Sequence, residues 1–96
     1  MTALYRAAYY GQEGIIQLLL EQGANIEAED KDGWTVLHRA IFRRQEGVVQ
    51  LLLKHGANIE AKNKRGQTAL DVATYIGRAR MVWLLEAKNQ AMISCL

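Results

Sequence analysis

The sequence predicts an all-α solenoid: three stacked helix-turn-helix units joined by β-hairpin loops. Two observations carry this. The chain repeats itself at an offset of 33 residues, and within each copy the apolar residues fall into two short helical patterns. Gly23-Ala24-Asn25-Ile26-Glu27-Ala28 recurs as Gly56-Ala57-Asn58-Ile59-Glu60-Ala61. At the same offset Thr2, Thr35 and Thr68 align, as do Leu4, Leu37 and Leu70, and Ala7, Ala40 and Ala73. Residues 2–34 set against 35–67 give 19 identities in 33 positions, and Ile15/Val48, Ile16/Val49 and Tyr9/Phe42 differ conservatively. Self-similarity at a fixed period of this length marks stacked supersecondary units, none able to bury its apolar face alone. The chain reads as a single domain over residues 1–96. Its first repeat, 1–29, is incomplete; the second covers 30–62; the third, 63–96, has a cap-like C-terminus.

The second copy is the clearest. Thr35 is a natural N-cap, and Val36, Leu37, Ala40 and Ile41 follow at helical spacing. Arg44 through Glu46 break that pattern. Val48, Val49, Leu51, Leu52 and Leu53 then form the second helix. Lys54-His55 supplies a basic last turn, and Gly56, like Gly23 one repeat earlier, suits the left-handed residue that ends a helix. Asp32-Gly33 and Lys64-Arg65-Gly66 are tight-turn signals, and Asp-Gly is a strong one for a hairpin. The third copy, from Thr68, keeps Leu84-Leu85 but loses the Gly-Ala-Asn signature, with Asn89-Gln90-Ala91 in its place. Neither helix exceeds about three turns, so neither is stable in isolation.

These residues resemble the ankyrin repeat, whose unit is also 33 residues long. The Thr-Pro-Leu-His motif of that family is matched by Thr35-Val36-Leu37-His38, with Thr68-Ala69-Leu70-Asp71 and Thr2-Ala3-Leu4-Tyr5 as weaker copies. Leu51-Leu52-Leu53-Lys54-His55-Gly56-Ala57-Asn58-Ile59 resembles the end of the second helix and the loop after it. The resemblance implies structural roles for Thr35, Thr68, Gly23 and Gly56. It also implies that His38 hydrogen-bonds Thr35 and the neighbouring backbone, tying repeats together. Three departures stand out. Ala3, Val36 and Ala69 replace proline, the histidine survives only as His38, and Arg44 stands where Gly11 and Gly77 keep glycine. A left-handed arginine there is strained by about 1 kcal/mol relative to glycine.

Composition limits the function classes. The chain has 96 residues, half of them apolar, with 12 basic against 10 acidic side chains and no proline. No apolar run is long enough to span a bilayer, and no signal-peptide pattern opens the sequence. One cysteine, Cys95, cannot form an internal disulfide, which suggests an intracellular setting, cytoplasmic or nuclear. Ser94 is the sole serine, and His38, His55 and Cys95 match no zinc-ligand spacing. No glycine-rich phosphate loop occurs. The expectation is a protein that is not an enzyme, with no catalytic residue, no metal and no cofactor.

Function then rests on surface. Solenoids present a concave face built from hairpin tips and first helices, and the resemblance implies that partners contact it. The candidate partner-binding residues are Tyr9, Tyr10, Lys31, Asp32, Trp34, Arg39, Phe42, Arg43, Arg65, Gln67 and Tyr75. Tyr9, Phe42 and Tyr75 share one repeat position and are expected to form a column along the groove. Aromatic and arginine side chains dominate interface energetics, although packing between successive first helices is the other reading of that column. Trp34 is expected to be exposed beside its turn, and Trp83 to pack or face the convex back. Residues 1–33 carry −4, residues 34–67 carry +5 and residues 68–96 carry +1. This asymmetry suits an acidic peptide on the middle repeat, or stacking of acidic on basic ends. The leading expectation is a non-catalytic protein–protein interaction module of scaffold type, with a protein or peptide partner. The alternative is a structural segment of a longer repeat array that self-associates through its open ends. Nucleic acid is disfavoured by the acidic first repeat. The tail Ala91-Met92-Ile93-Ser94-Cys95-Leu96 is read either as folding back over Trp83 and Leu84 or as the stub of a further element.

Overall fold

Threonine opens each helix pair. In the computed structural model, which describes residues 2–94 with side chains from Thr2 to Glu86, Thr2, Thr35 and Thr68 cap the helices α1 (Ala3–Tyr9), α3 (Val36–Phe42) and α5 (Ala69–Tyr75). The three hydroxyl oxygens accept from the N–H of Tyr5, His38 and Asp71 at 3.2, 3.2 and 3.3 Å. At Thr35 and Thr68 the cap is reciprocal, because the side chains of His38 and Asp71 accept from the cap residue's own N–H. Each satisfied donor at a helix start stabilises it by about 1 kcal/mol.

The first helices stop at a left-handed residue. Gly11 and Gly77 have φ of 68° and 70°, and Arg44 takes the same turn at 59°. The chain then reverses into α2 (Glu13–Glu21), α4 (Glu46–Lys54) and α6 (Ala79–Ser94). Gly23 and Gly56 follow α2 and α4 with φ of 88° and 86°, the conformation expected from their place after the last apolar turn.

The returning loops turn sharply without becoming strands. Asp30 N–H donates to the Trp34 carbonyl and Asn63 N–H to the Gln67 carbonyl, both at 3.0 Å. Glu29 and Thr35 form an isolated antiparallel bridge, and among the described residues no strand is present. The reason is local. Asp30 and Asn63 each use a side-chain oxygen to accept two backbone N–H groups of their own turn, which closes the tip after one ladder step.

Stacking runs in order: α1 packs on α3 and α3 on α5, while α2 packs on α4 and α4 on α6. Ala7, Ala40 and Ala73 are buried at one repeat position, and their small size lets successive first helices approach closely. Leu4, Ile16, Leu37, Ile41, Val49, Leu52 and Leu85 fill the layer between first and second helices. The two end faces differ. Ile15 is 48% exposed where its equivalent Val48 is 1% exposed, and Thr74 stands exposed where Ile41 is fully buried. The backbone of α6 runs on to Ser94. Whether the tail covers Trp83 and Leu84 lies outside the described residues, as does Cys95.

Candidate partner-binding face

The first helices and the turn tips share one side of the stack. Arg39, on α3, is its best-anchored cation. Its Nε donates to the Tyr5 hydroxyl at 2.9 Å, and its Nη2 lies 3.6 Å from Asp30 Oδ2. The Tyr5 hydroxyl in turn donates to Asp30 Oδ2 at 2.6 Å. The guanidinium also sits 4.8 Å from the Trp34 ring centroid, 5.6 Å from that of Phe42 and 5.8 Å from that of Tyr5. A cation over aromatic faces is attracted by their quadrupoles. Burial, followed by the hydrogen bond to Asp30, pushes the Tyr5 hydroxyl up to about 12. Burial works against ionisation of Asp30 too. Hydrogen bonds from Tyr5 and from the N–H groups of Trp34 and Asp32, with the Arg39 charge, outweigh it and hold the carboxyl below its ordinary value.

Arg43, one helical turn on, lies 4.2 Å over the Tyr9 ring, and its Nε donates to the Tyr9 carbonyl at 3.4 Å. Tyr9 meets Tyr10 edge-on at 5.1 Å, and Trp34 meets Phe42 edge-on at 5.5 Å. The expected column of Tyr9, Phe42 and Tyr75 therefore takes another form. Among the described residues no ring contact joins these three. Instead the guanidinium groups of Arg43 and Arg39 lie over the Tyr9 and Phe42 rings. Tyr10 is 66% exposed, Tyr75 78% and Phe42 38%.

Trp34 departs from its expected exposure. It is half-buried, held between the His38 ring at 5.8 Å, Phe42 and Arg39. Trp83 is 62% exposed on the opposite element. Gln67 is turned inward: its carbonyl contacts His38 Nε2 at 2.8 Å and its side-chain oxygen accepts from Asn63 Nδ2 at 2.9 Å. Lys31, Asp32 and Arg65 are exposed at the tips.

His38 is buried with both ring nitrogens engaged. Nδ1 accepts from the Thr35 N–H at 3.1 Å and contacts the Thr35 hydroxyl at 2.8 Å, while Nε2 faces the Gln67 carbonyl. These partners leave no ring nitrogen for proton transfer or a metal. Among the described residues, no group of three or more His, Cys, Asp or Glu is arranged to hold a metal ion. No described helix is long and apolar enough to cross a membrane.

Tyr5, Asp30 and Asn63 are the residues that sequence reasoning passed over. A signal existed. Tyr5 aligns with His38, and like it reaches from the first helix to the next turn tip, ending on a carboxylate instead of a carbonyl.

Two clefts flank Arg39. One, of 620 Å³, is lined by Tyr5, Tyr9, Glu29, Asp30, Lys31 and Arg39. The other, of 410 Å³, is lined by Asp32, Trp34, Arg39, Lys64 and Arg65. A third, of 430 Å³, lies at the far end between α5 and α6, beside Ala73, Thr74, Val82 and Trp83. A family model of ankyrin repeats, in three copies, matches residues 4–94. Comparison with curated proteins gives no match.

Proposed function

The chain belongs to the ankyrin-repeat family, whose members are generally non-enzymatic protein–protein interaction modules, and on that premise we propose that it binds a protein or peptide partner across the face of first helices and turn tips. The observation that carries this reading is the arginine–aromatic row on that face. Arg39 and Arg43 are held against Trp34, Phe42 and Tyr9, while Tyr10 and Tyr75 are exposed at the ends of their own first helices. Preorganised aromatic and arginine side chains lose little conformational freedom on binding, which is what interface hot spots require. Lys31, Asp32 and Arg65 rim the row, and Gln67 supports it from behind. Thr35, Thr68, His38, Gly23 and Gly56 set the geometry of the repeats that carry it. The test is capture of a partner by the wild-type chain and by Arg43→Ala, Tyr9→Ala and Tyr75→Ala. Loss of the partner with an unchanged fold supports the face, and full retention by all three variants removes it.

A second reading has its own observation. Ile15 and Leu18 are 48% and 56% exposed on the first repeat, where the equivalent Val48 is buried. An open apolar end of this kind suits a structural segment that associates end to end. Sedimentation velocity over a range of concentrations decides it: a growing coefficient that Ile15→Lys abolishes favours this reading.

A further inference from the structure

Resting on the partner-face reading above, we propose that the cleft between the turn tips at residues 30–34 and 63–67 is a subsite for carboxylate side chains of an acidic peptide segment. The cleft takes Asp32, Trp34 and Arg39 from one repeat and Lys64 and Arg65 from the next. The two tips are joined directly, because the Lys64 N–H donates to the Asp32 carbonyl at 3.0 Å. Lys64 and Arg65 face the single carboxylate of Asp32 here, while Arg39, which the neighbouring cleft shares, is paired with Asp30; the net positive charge therefore lies at the Lys64-Arg65 tip.

The Arg39 side chain and the backbone that carries Lys64 and Arg65 are positioned before any ligand arrives. Arg39 is fixed by the Tyr5 hydroxyl and lies over Trp34. Lys64 and Arg65 are exposed, and among the described residues neither forms a salt bridge. Their backbone is held by Asn63, 5% exposed, whose Oδ1 accepts from the N–H of Arg65 and Gln67 at 2.9 and 3.0 Å. Guanidinium groups match a carboxylate through paired N–H donors, and the Trp34 ring offers an apolar wall for the methylenes of a glutamate. A nucleic acid fits this cleft less well than a peptide. A continuous row of phosphates leaving it toward the first repeat would meet Glu29, Asp30 and Asp32, in a segment carrying −4.

Trp34 is the reporter for the test. Trp83→Phe removes the other tryptophan, at an exposed position. The W83F protein is titrated with hexaglutamate and with hexaglutamine, following tryptophan emission. A response to hexaglutamate alone, weakening with added salt, is expected. Lys64→Glu with Arg65→Glu weakens it by about tenfold or more, and Arg65→Gln by less. Asp32→Asn tightens it by removing the one opposing carboxylate. An equal response to both peptides, or one indifferent to charge reversal, overturns the proposal. So does tighter binding of an oligouridine than of hexaglutamate. If hexaglutamate fails while a captured partner is still lost from Tyr9→Ala and Arg43→Ala, the subsite falls and the broader face stands. Hexaglutamate binding with a partner indifferent to those substitutions gives the reverse.

Discussion

Tyr5 donates a 2.6 Å hydrogen bond to Asp30, 25 residues further along the chain, and so ties the first helix to the turn that leads into the second repeat. The same hydroxyl accepts from Arg39. One oxygen thus joins α1, the loop and α3. Tyr5→Phe keeps the ring and deletes the junction, leaving Arg39 Nε without its acceptor. The expected cost is about 1 kcal/mol, read as a lower urea midpoint with an unchanged slope. An unchanged midpoint would show that water replaces the hydroxyl at no loss.

This junction also gives the fold a pH dependence with a definite sign. The folded Tyr5 hydroxyl titrates at about 12, against about 10 for an exposed tyrosine. The folded state keeps a proton that the unfolded chain releases. The stabilisation is complete below about pH 10 and is lost as pH rises through 12. Asp30 works in the opposite direction. Its carboxyl is held below the ordinary value, so its contribution is present above about pH 4 and fades as pH falls through the depressed value. Melting curves of wild type and Tyr5→Phe should therefore converge between about pH 10 and 12. Parallel curves would contradict the assignment.

Arg44 holds φ of 59° with its side chain in solvent. Glycine adopts this backbone without the Cβ clash that arginine suffers, so Arg44→Gly should stabilise the fold by about 1 kcal/mol. For a domain of this size the melting temperature rises by roughly 4–8 °C. A fall would mean that the aliphatic stem of Arg44 contributes more packing than its exposure suggests.

Arg39 and Arg43 separate on substitution. Arg39 is engaged with Tyr5, Asp30, Trp34 and Phe42. Arg39→Ala should cost about 1–3 kcal/mol, because the partly buried Asp30 and Tyr5 lose a partner. Arg43 is exposed and rests on one ring and one long hydrogen bond, so Arg43→Ala should cost under about 1 kcal/mol. Urea titrations of the two variants decide the order, and equal losses would refute it.

Arg39 also shows where sequence reading stops. The repeat period, the threonine caps and the left-handed turns are legible because the same backbone requirement recurs every 33 residues. Positions that differ between repeats are not all free for function, and Tyr5, His38 and Asp71 show this. They occupy one position and differ in type, yet Tyr5 and His38 both brace the next turn, one through Asp30 and the other through Gln67. Among the described residues, Asp71 bonds only within its own cap, to Thr68. Variation thus served the framework in two repeats. The half-burial of Trp34 is hidden for a related reason: its neighbours His38, Arg39 and Phe42 lie one and two helical turns away on the helix it precedes, and the turn tip by itself looks solvent-exposed.

Because the contacts run from each helix pair to the next, the middle pair is a keystone. A lesion in α1 or α6 loosens one junction, whereas a lesion in α3 or α4 opens two and leaves each outer pair a remnant too short to stand. Unzipping therefore starts at the extremities, and the amides of α3 and α4 should be the last to exchange with deuterium.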